Sequence, residues 1–104
     1  MTGGGIDISA ADLAIVQDIL RQHVPDREVW AFGSRVTGKA RPFSDLDLCV
    51  VGKTPLPLAV AAALSEAFSE SDLPFKVDVV DWGMTSERFR AIIAGSKIIL
   101  KPGR

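Results

Sequence analysis

Asp45 and Asp47 stand two residues apart in Ser44-Asp45-Leu46-Asp47-Leu48, ten residues after Gly33-Ser34, and Asp78 lies inside Lys76-Val77-Asp78-Val79-Val80. On a strand, residues i and i+2 project to one face, because side chains alternate with period two. A third carboxylate on another apolar strand meets them if the two strands lie side by side. A Gly-Ser turn at the end of a preceding strand offers small, donor-rich backbone where a phosphate can rest. Magnesium prefers hard oxygen ligands and shares its shell between carboxylates and substrate phosphates. Three acids beside a phosphate cradle are equipped for metal-assisted nucleotide chemistry.

The elements that must position these residues alternate along the chain. Ser9, with Asp12 three residues on, reads as a helix cap. Leu13, Val16 and Leu20 follow at helical spacing, so residues 9 to 23 form an amphipathic helix ended by Pro25. Glu28 to Gly33 is a β-branched and aromatic strand that stops at the glycine. Ser34 to Gly38 is a short helical turn, and Lys39 to Ser44 a loop carrying Pro42. Asp45 to Val51 is the second strand, closed by Gly52. A helix begins near Pro55 and Pro57 and buries Val60, Ala63, Leu64, Ala67 and Phe68. Phe75 to Asp81 is a third strand. Thr85 or Ser86 caps a last helix with Phe89, Ile92 and Ile93 inward and Gly95 as its stop. Ile98 to Leu100 either adds an edge strand or covers the core. The expected fold is α/β (α+β): a small mixed sheet with helices packed mainly on one face.

Length and composition bound the function. The chain has 104 residues, enough for one domain with a real core and too few for two. Residues 1 to 8, with three consecutive glycines, read as a flexible N-terminus, and residues 9 to 104 as the single domain. A net charge of −1 leaves no basic field to hold a long nucleic-acid backbone. One cysteine, Cys49, excludes an internal disulfide framework and a cysteine zinc site, which fits a reducing cytoplasm. The longest uninterrupted apolar run, Leu58 to Leu64, is far short of the roughly 20 residues a spanning helix needs. No charged and apolar leader opens the chain, so the expected location is cytoplasmic.

Each candidate also has a plainer reading. Asp-x-Asp alone is common and fits a solvated strand face. Its distance from Gly33-Ser34 and the third strand acid favour the functional reading, and Asp disfavours strands without a purpose. Asp78 and Asp81 are three residues apart, on opposite faces of an ideal strand, so only one joins the cluster. Asp78, inside the apolar run, is the better candidate. Ser34 can cap the short helix, contact a phosphate, or both. Gly33 allows close approach of a triphosphate. Arg35 either neutralises phosphate charge or pairs with a surface acid. Lys39 and Arg41 read as solvated loop charges, and His23 as a structural residue at a helix C-terminus. Cys49 behaves as a small buried hydrophobe, and Trp30 and Trp82 as core or interface aromatics.

Gly33-Ser34-Arg35, the spacer, Asp45-Leu46-Asp47 and Val77-Asp78-Val79-Val80 resemble the polymerase-beta-type nucleotidyltransferase superfamily. The small size is similar to its minimal nucleotidyltransferase (MNT) branch, whose element order extends the match over roughly residues 9 to 100. The resemblance implies a helical HEPN-type toxin as partner, with this chain as its antitoxin, moving AMP from ATP onto the partner. It implies Gly33, Ser34 and Arg35 at the nucleotide phosphates. One departure stands out: the branch often reads Gly-Ser-Arg-x-Arg-Gly, and the second arginine position here is Thr37.

The mechanism expected on that resemblance is two-metal nucleotidyl transfer. Asp45 and Asp47 bridge two Mg2+ ions, and Asp78 completes the ion that acidifies the acceptor hydroxyl. Larger members of the superfamily add a domain to grip the acceptor. Without one, the acceptor is expected to arrive on a partner or across an oligomer interface. Two alternatives stay open: a small-molecule nucleotidyltransferase with an intersubunit acceptor pocket, and an antitoxin that inhibits by contact alone. The second leaves three clustered acids unused, which is electrostatically costly.

Overall fold

Ser9 sets the first boundary. Its hydroxyl accepts a hydrogen bond from the Asp12 amide at 3.1 Å, satisfying one of the orphan donors of a helix start. In the computed structural model, which describes residues 5–103, this cap opens α1 (Ala10–His23). Val16 and Leu20, four residues apart on one face, are completely buried. The helix ends at Val24, ahead of Pro25.

Strands β1 (Glu28–Phe32), β2 (Leu46–Val51), β3 (Val77–Asp81) and β4 (Ile98–Lys101) form one sheet in the order β3-β2-β1-β4. β1 runs antiparallel to both β2 and β4, whereas β2 and β3 are parallel, so the sheet is mixed. The parallel pair needs a crossover. It is supplied by α3 (Leu58–Ser69), which buries Leu64 and Phe68. The C-terminal apolar tail is therefore an edge strand, the first of its two sequence readings.

Alternation along the strands sorts two apolar layers onto opposite faces. Val29 and Ala31 of β1 and Leu46, Leu48 and Val50 of β2 face α1 and α3 in the main core. Trp30, Phe32 and Cys49 face the other way, where Ile93 and Phe89 of α4 (Glu87–Ser96) cover them. Trp30 meets Trp82 edge-on at 5.0 Å between ring centroids, and Phe32 meets Phe89 at 5.8 Å. Two long helices on one face and one on the other match the expected arrangement.

Several boundaries moved. Of the flexible start read into residues 1–8, residues 1–4 lie outside the described residues, but Ile6 and Ile8 are buried at 1% and 5% exposure. Both join the main core, so order begins before the Ser9 cap. β3 opens at Val77 rather than Phe75. A 3-10 turn, Trp82–Met84, follows β3 where no element was expected, capped by the Asp81 carboxylate. Ser86, not Thr85, caps α4, accepting from the Phe89 amide at 3.2 Å. Gly95 does not stop α4, which continues to Ser96. Ile92 is 60% exposed rather than inward, because only the narrow Phe89–Ile93 seam of α4 meets the sheet. Among the described residues, no helix is long and apolar enough to cross a membrane.

Candidate active site

Asp47 is the second residue of β2, which lies between β1 and the edge strand β3. Its Cα pairs with Phe32 across the antiparallel ladder and with Asp78 across the parallel one. Partners at one register point to the same face, with strands about 4.8 Å apart. Phe32, Asp47 and Asp78 thus form a row, and Trp30, Cys49 and Val80 form the next row on the same face. The aromatic row lies under α4, while the acids stand where β1 ends and β2 and β3 begin. Asp45 sits at the threshold of β2, exposed, one residue before the ladder starts.

The turn after β1 belongs to the same corner. Gly33 has φ +82°, the left-handed region that favours glycine, and it leads into α2 (Ser34–Thr37). A Cβ on Gly33 would stand inside van der Waals contact of Asp47 Oδ2 and 3.1 Å from its Cγ. The sequence therefore needs glycine twice here, for the backbone angle and to leave the carboxylate its space. Gly33→Ala is accordingly expected to lower the melting temperature and to displace Asp47, with loss of whatever chemistry Asp47 performs. Gly38→Ala provides the control. Gly38 has φ +81° but nothing within 4 Å of its would-be Cβ, so only backbone strain of about 1–2 kcal/mol follows. Equal effects of the two substitutions on activity and melting would show that the Asp47 contact is unimportant.

Electrostatics single out Asp47. Burial raises its pKa above the ordinary 3.8, and the neighbouring charges of Asp78 and then Asp45 raise it further. Asp78 is half exposed, with Lys76 Nζ 3.9 Å from its carboxylate, a surface pair worth little. Among the described residues, no three acid, cysteine or histidine side chains are gathered tightly enough to chelate an ion by themselves. Mg2+ commonly binds through one or two carboxylates plus substrate phosphates, so an all-protein cage is not required of a magnesium site. Hard oxygen donors, mutual repulsion a cation would relieve, and a glycine cradle beside Asp47 together fit a magnesium–nucleotide site.

The rejected alternative, Asp81, is fully engaged elsewhere. Its Oδ2 accepts from the Leu56 amide at 2.7 Å and its Oδ1 from the Gly83 amide at 3.1 Å. It anchors the entrance to α3 and caps the 3-10 turn. Cys49 is buried, and burial pushes its thiol up to about 11, with Asp81 adding to the rise and Arg90 opposing it. It is an inert core residue. Lys39 and Arg41 are exposed, as is Thr37 at the end of α2, so no cation stands at that arginine position.

Arg35 is the correction. Expected at the phosphates, it is only 5% exposed. Its Nε donates to the Ser44 carbonyl (3.0 Å), one terminal nitrogen to Asp7 (2.8 Å) and the other to Pro42 (3.0 Å). Its Cζ lies over the Phe75 ring, 4.2 Å from the centroid. The guanidinium is spent inside the protein. A cavity of about 520 Å³ lined by Gln17, Arg21, Pro25, Leu100, Lys101 and Pro102 lies at β4, the sheet edge opposite β3. Its cations are committed: Arg21 pairs with Asp18, and Lys101 Nζ donates to the carbonyls of Pro25, Arg27 and Pro102.

Comparison with known proteins bears on the family and the fold. Residues 13–101 match the family described as nucleotidyltransferase domain. The chain is 53% identical over 96 residues to the "probable protein adenylyltransferase MntA" of Haemophilus influenzae, covering 92% of this chain and 84% of that one. Its fold is similar to a chain in a crystal structure of a toxin-antitoxin with AMP-PNP, with a TM-score of 0.72 and 23% identity over 86% of this chain and 72% of that one. It is also similar to a chain of a Shewanella oneidensis complex between a tri-AMPylated HEPN toxin and an MNT antitoxin. There the TM-score is 0.64 at 21% identity, covering 86% of this chain and 69% of the other.

Proposed function

Because the chain belongs to the nucleotidyltransferase domain family, we propose that it moves AMP from ATP onto a hydroxyl of a HEPN-type partner protein, as that partner's antitoxin. The observation that carries this reading is the row of Asp47 and Asp78 on adjacent strands, with Gly33 backbone packed against the Asp47 carboxylate. The 53% identity to a protein named as a probable adenylyltransferase, and the fold shared with a chain of a complex between a tri-AMPylated HEPN toxin and an MNT antitoxin, support the choice of acceptor.

In this reading Asp45 and Asp47 together hold two Mg2+ ions, and Asp78 completes the ligand set on the acceptor's side. When bound, the ions lower the pKa of the acceptor hydroxyl and neutralise charge growing on the leaving phosphates. Ser34 and the backbone at Gly33 hold the β- and γ-phosphates against the start of α2. The acceptor oxygen bonds to the α-phosphorus as the bond from that phosphorus to the bridging oxygen breaks, and pyrophosphate leaves. The acceptor is left carrying AMP as a phosphodiester. Asp78, at the exposed rim of the row, receives the hydroxyl proton.

The test is direct. Purified HEPN-type partner incubated with this protein, ATP and Mg2+ is expected to gain the mass of one or more AMP groups by intact mass spectrometry. A partner that stays unmodified while its toxicity is still suppressed would replace transfer with inhibition by contact.

A further inference from the structure

We propose that Arg35 is a positioning residue for the acidic site, tying the N-terminal segment and the loop before β2 into one frame that holds Asp45 and Asp47 in register. The inference rests on the proposed transfer for its kinetic readout, but its geometry stands alone. The guanidinium gathers three carbonyls from two segments distant in sequence: Asp7 in the N-terminal segment, and Pro42 and Ser44 in the loop before β2. Ser44 is the residue immediately before Asp45. Pro42 and Ser44 flank Phe43, whose ring is left 80% exposed. The loop is also closed on itself, with Ser44 Oγ accepting from the Arg41 amide at 2.8 Å and the Ser44 amide donating to the Arg41 carbonyl at 3.0 Å.

The contact with the N-terminal segment runs both ways. The Asp7 amide donates to the Arg35 carbonyl at 2.7 Å while the Asp7 carbonyl accepts from the guanidinium. Ile6 and Ile8, on either side of Asp7, are buried in the main core. The carbonyl that Arg35 grips is therefore itself anchored, and the partly buried ring of Phe75 lies beneath the guanidinium. Only a planar fork with several diverging donors can span such a set; a lysine ammonium is a point charge on a flexible stem. Through this frame a buried arginine next to the phosphate cradle acts on catalysis without touching the substrate. A misplacement of about 1 Å at a reacting centre is enough to cost about 10²-fold in rate.

Arg35→Lys preserves the charge and removes the fork. At temperatures well below its melting transition, kcat for AMP transfer is expected to fall about 10²-fold with the KM for ATP nearly unchanged. Hydrogen exchange is expected to accelerate at the amides of residues 39–44 and not in α3. A higher KM with kcat retained would make Arg35 a phosphate contact and overturn the proposal. So would wild-type kcat and exchange in the folded variant. If Arg35→Lys does not fold, Phe75→Leu carries the test, because it removes the stacking surface and leaves every hydrogen-bonding group in place. The same two signatures, smaller in size, are expected, and their absence overturns the frame. Exchange needs no turnover, so failure of the transfer reading leaves this result decisive.

Discussion

Asp47→Asn is expected to abolish AMP transfer, lowering kcat/KM by about 10³-fold or more. Asparagine keeps the shape of the side chain but loses the charge that would hold metal in the proposed site. Stabilisation of transition-state charge by bound metal is worth several kcal/mol, and each 1.4 kcal/mol is tenfold in rate. Asp45→Asn is expected to behave similarly. Lengthening the side chain is no remedy at position 47, because it moves the carboxylate from the place beside Gly33 that the fold sets for it. Asp47→Glu is therefore expected to fail as well, whereas an electrostatic role at a distance would tolerate it. The measurement is AMP incorporation into the partner under single-turnover conditions. Transfer by Asp47→Asn at more than a tenth of the wild-type rate would remove Asp47 from the metal-binding role.

The acidic corner was legible because strand alternation is a local rule. Leu46-Asp47-Leu48 and Val77-Asp78-Val79 each announce a strand with an acid facing away from the main core, although β2 opens at Leu46 and leaves Asp45, read as its first residue, just outside. The parallel register then sets Asp78 beside Asp47. The three-residue offset of Asp81 set it on the other face from Asp78, and in the fold it anchors the Leu56 amide. What the sequence concealed depended on groups far apart in the chain. Arg35 in Gly-Ser-Arg looks like a phosphate contact until the carbonyls of residues 7, 42 and 44 are known to converge on it. The burial of Ile6 and Ile8 had a signal in their own period-two spacing, outweighed by the preceding glycines. Phe75 extends the period-two pattern of Val77 and Val79 in the sequence, yet it lies outside β3, and its ring supports Arg35 instead. Local pattern placed the acids, and tertiary contacts decided what holds them there.

Magnesium with ATP is expected to raise the melting temperature of the wild-type protein and to leave Asp47→Asn nearly unmoved. A ligand that binds only the folded state at 100 times its Kd stabilises it by about 2.7 kcal/mol. For a domain of this size each kcal/mol corresponds to about 4–8 °C. Without ligand the order reverses, and the sign follows from Asp47. Its folded pKa lies above the ordinary 3.8, through burial and then the charges of Asp78 and Asp45, so the folded state binds its proton more tightly than the unfolded chain. Stability contributed at this position is fully present below pH 3.8 and is lost as pH rises through the folded value. At neutral pH the metal-free wild type therefore carries a penalty that Asp47→Asn lacks, reduced because water partly screens a half-exposed carboxylate. The variant should melt slightly higher than wild type at neutral pH without ligand, and the gap should close on acidification towards pH 3.8. Thermal melts of both proteins, with and without magnesium-ATP and across that acid range, measure all three differences. A solvated strand face with no ligand role would give equal, negligible responses to magnesium-ATP in the two proteins, and that outcome would sink the metal site.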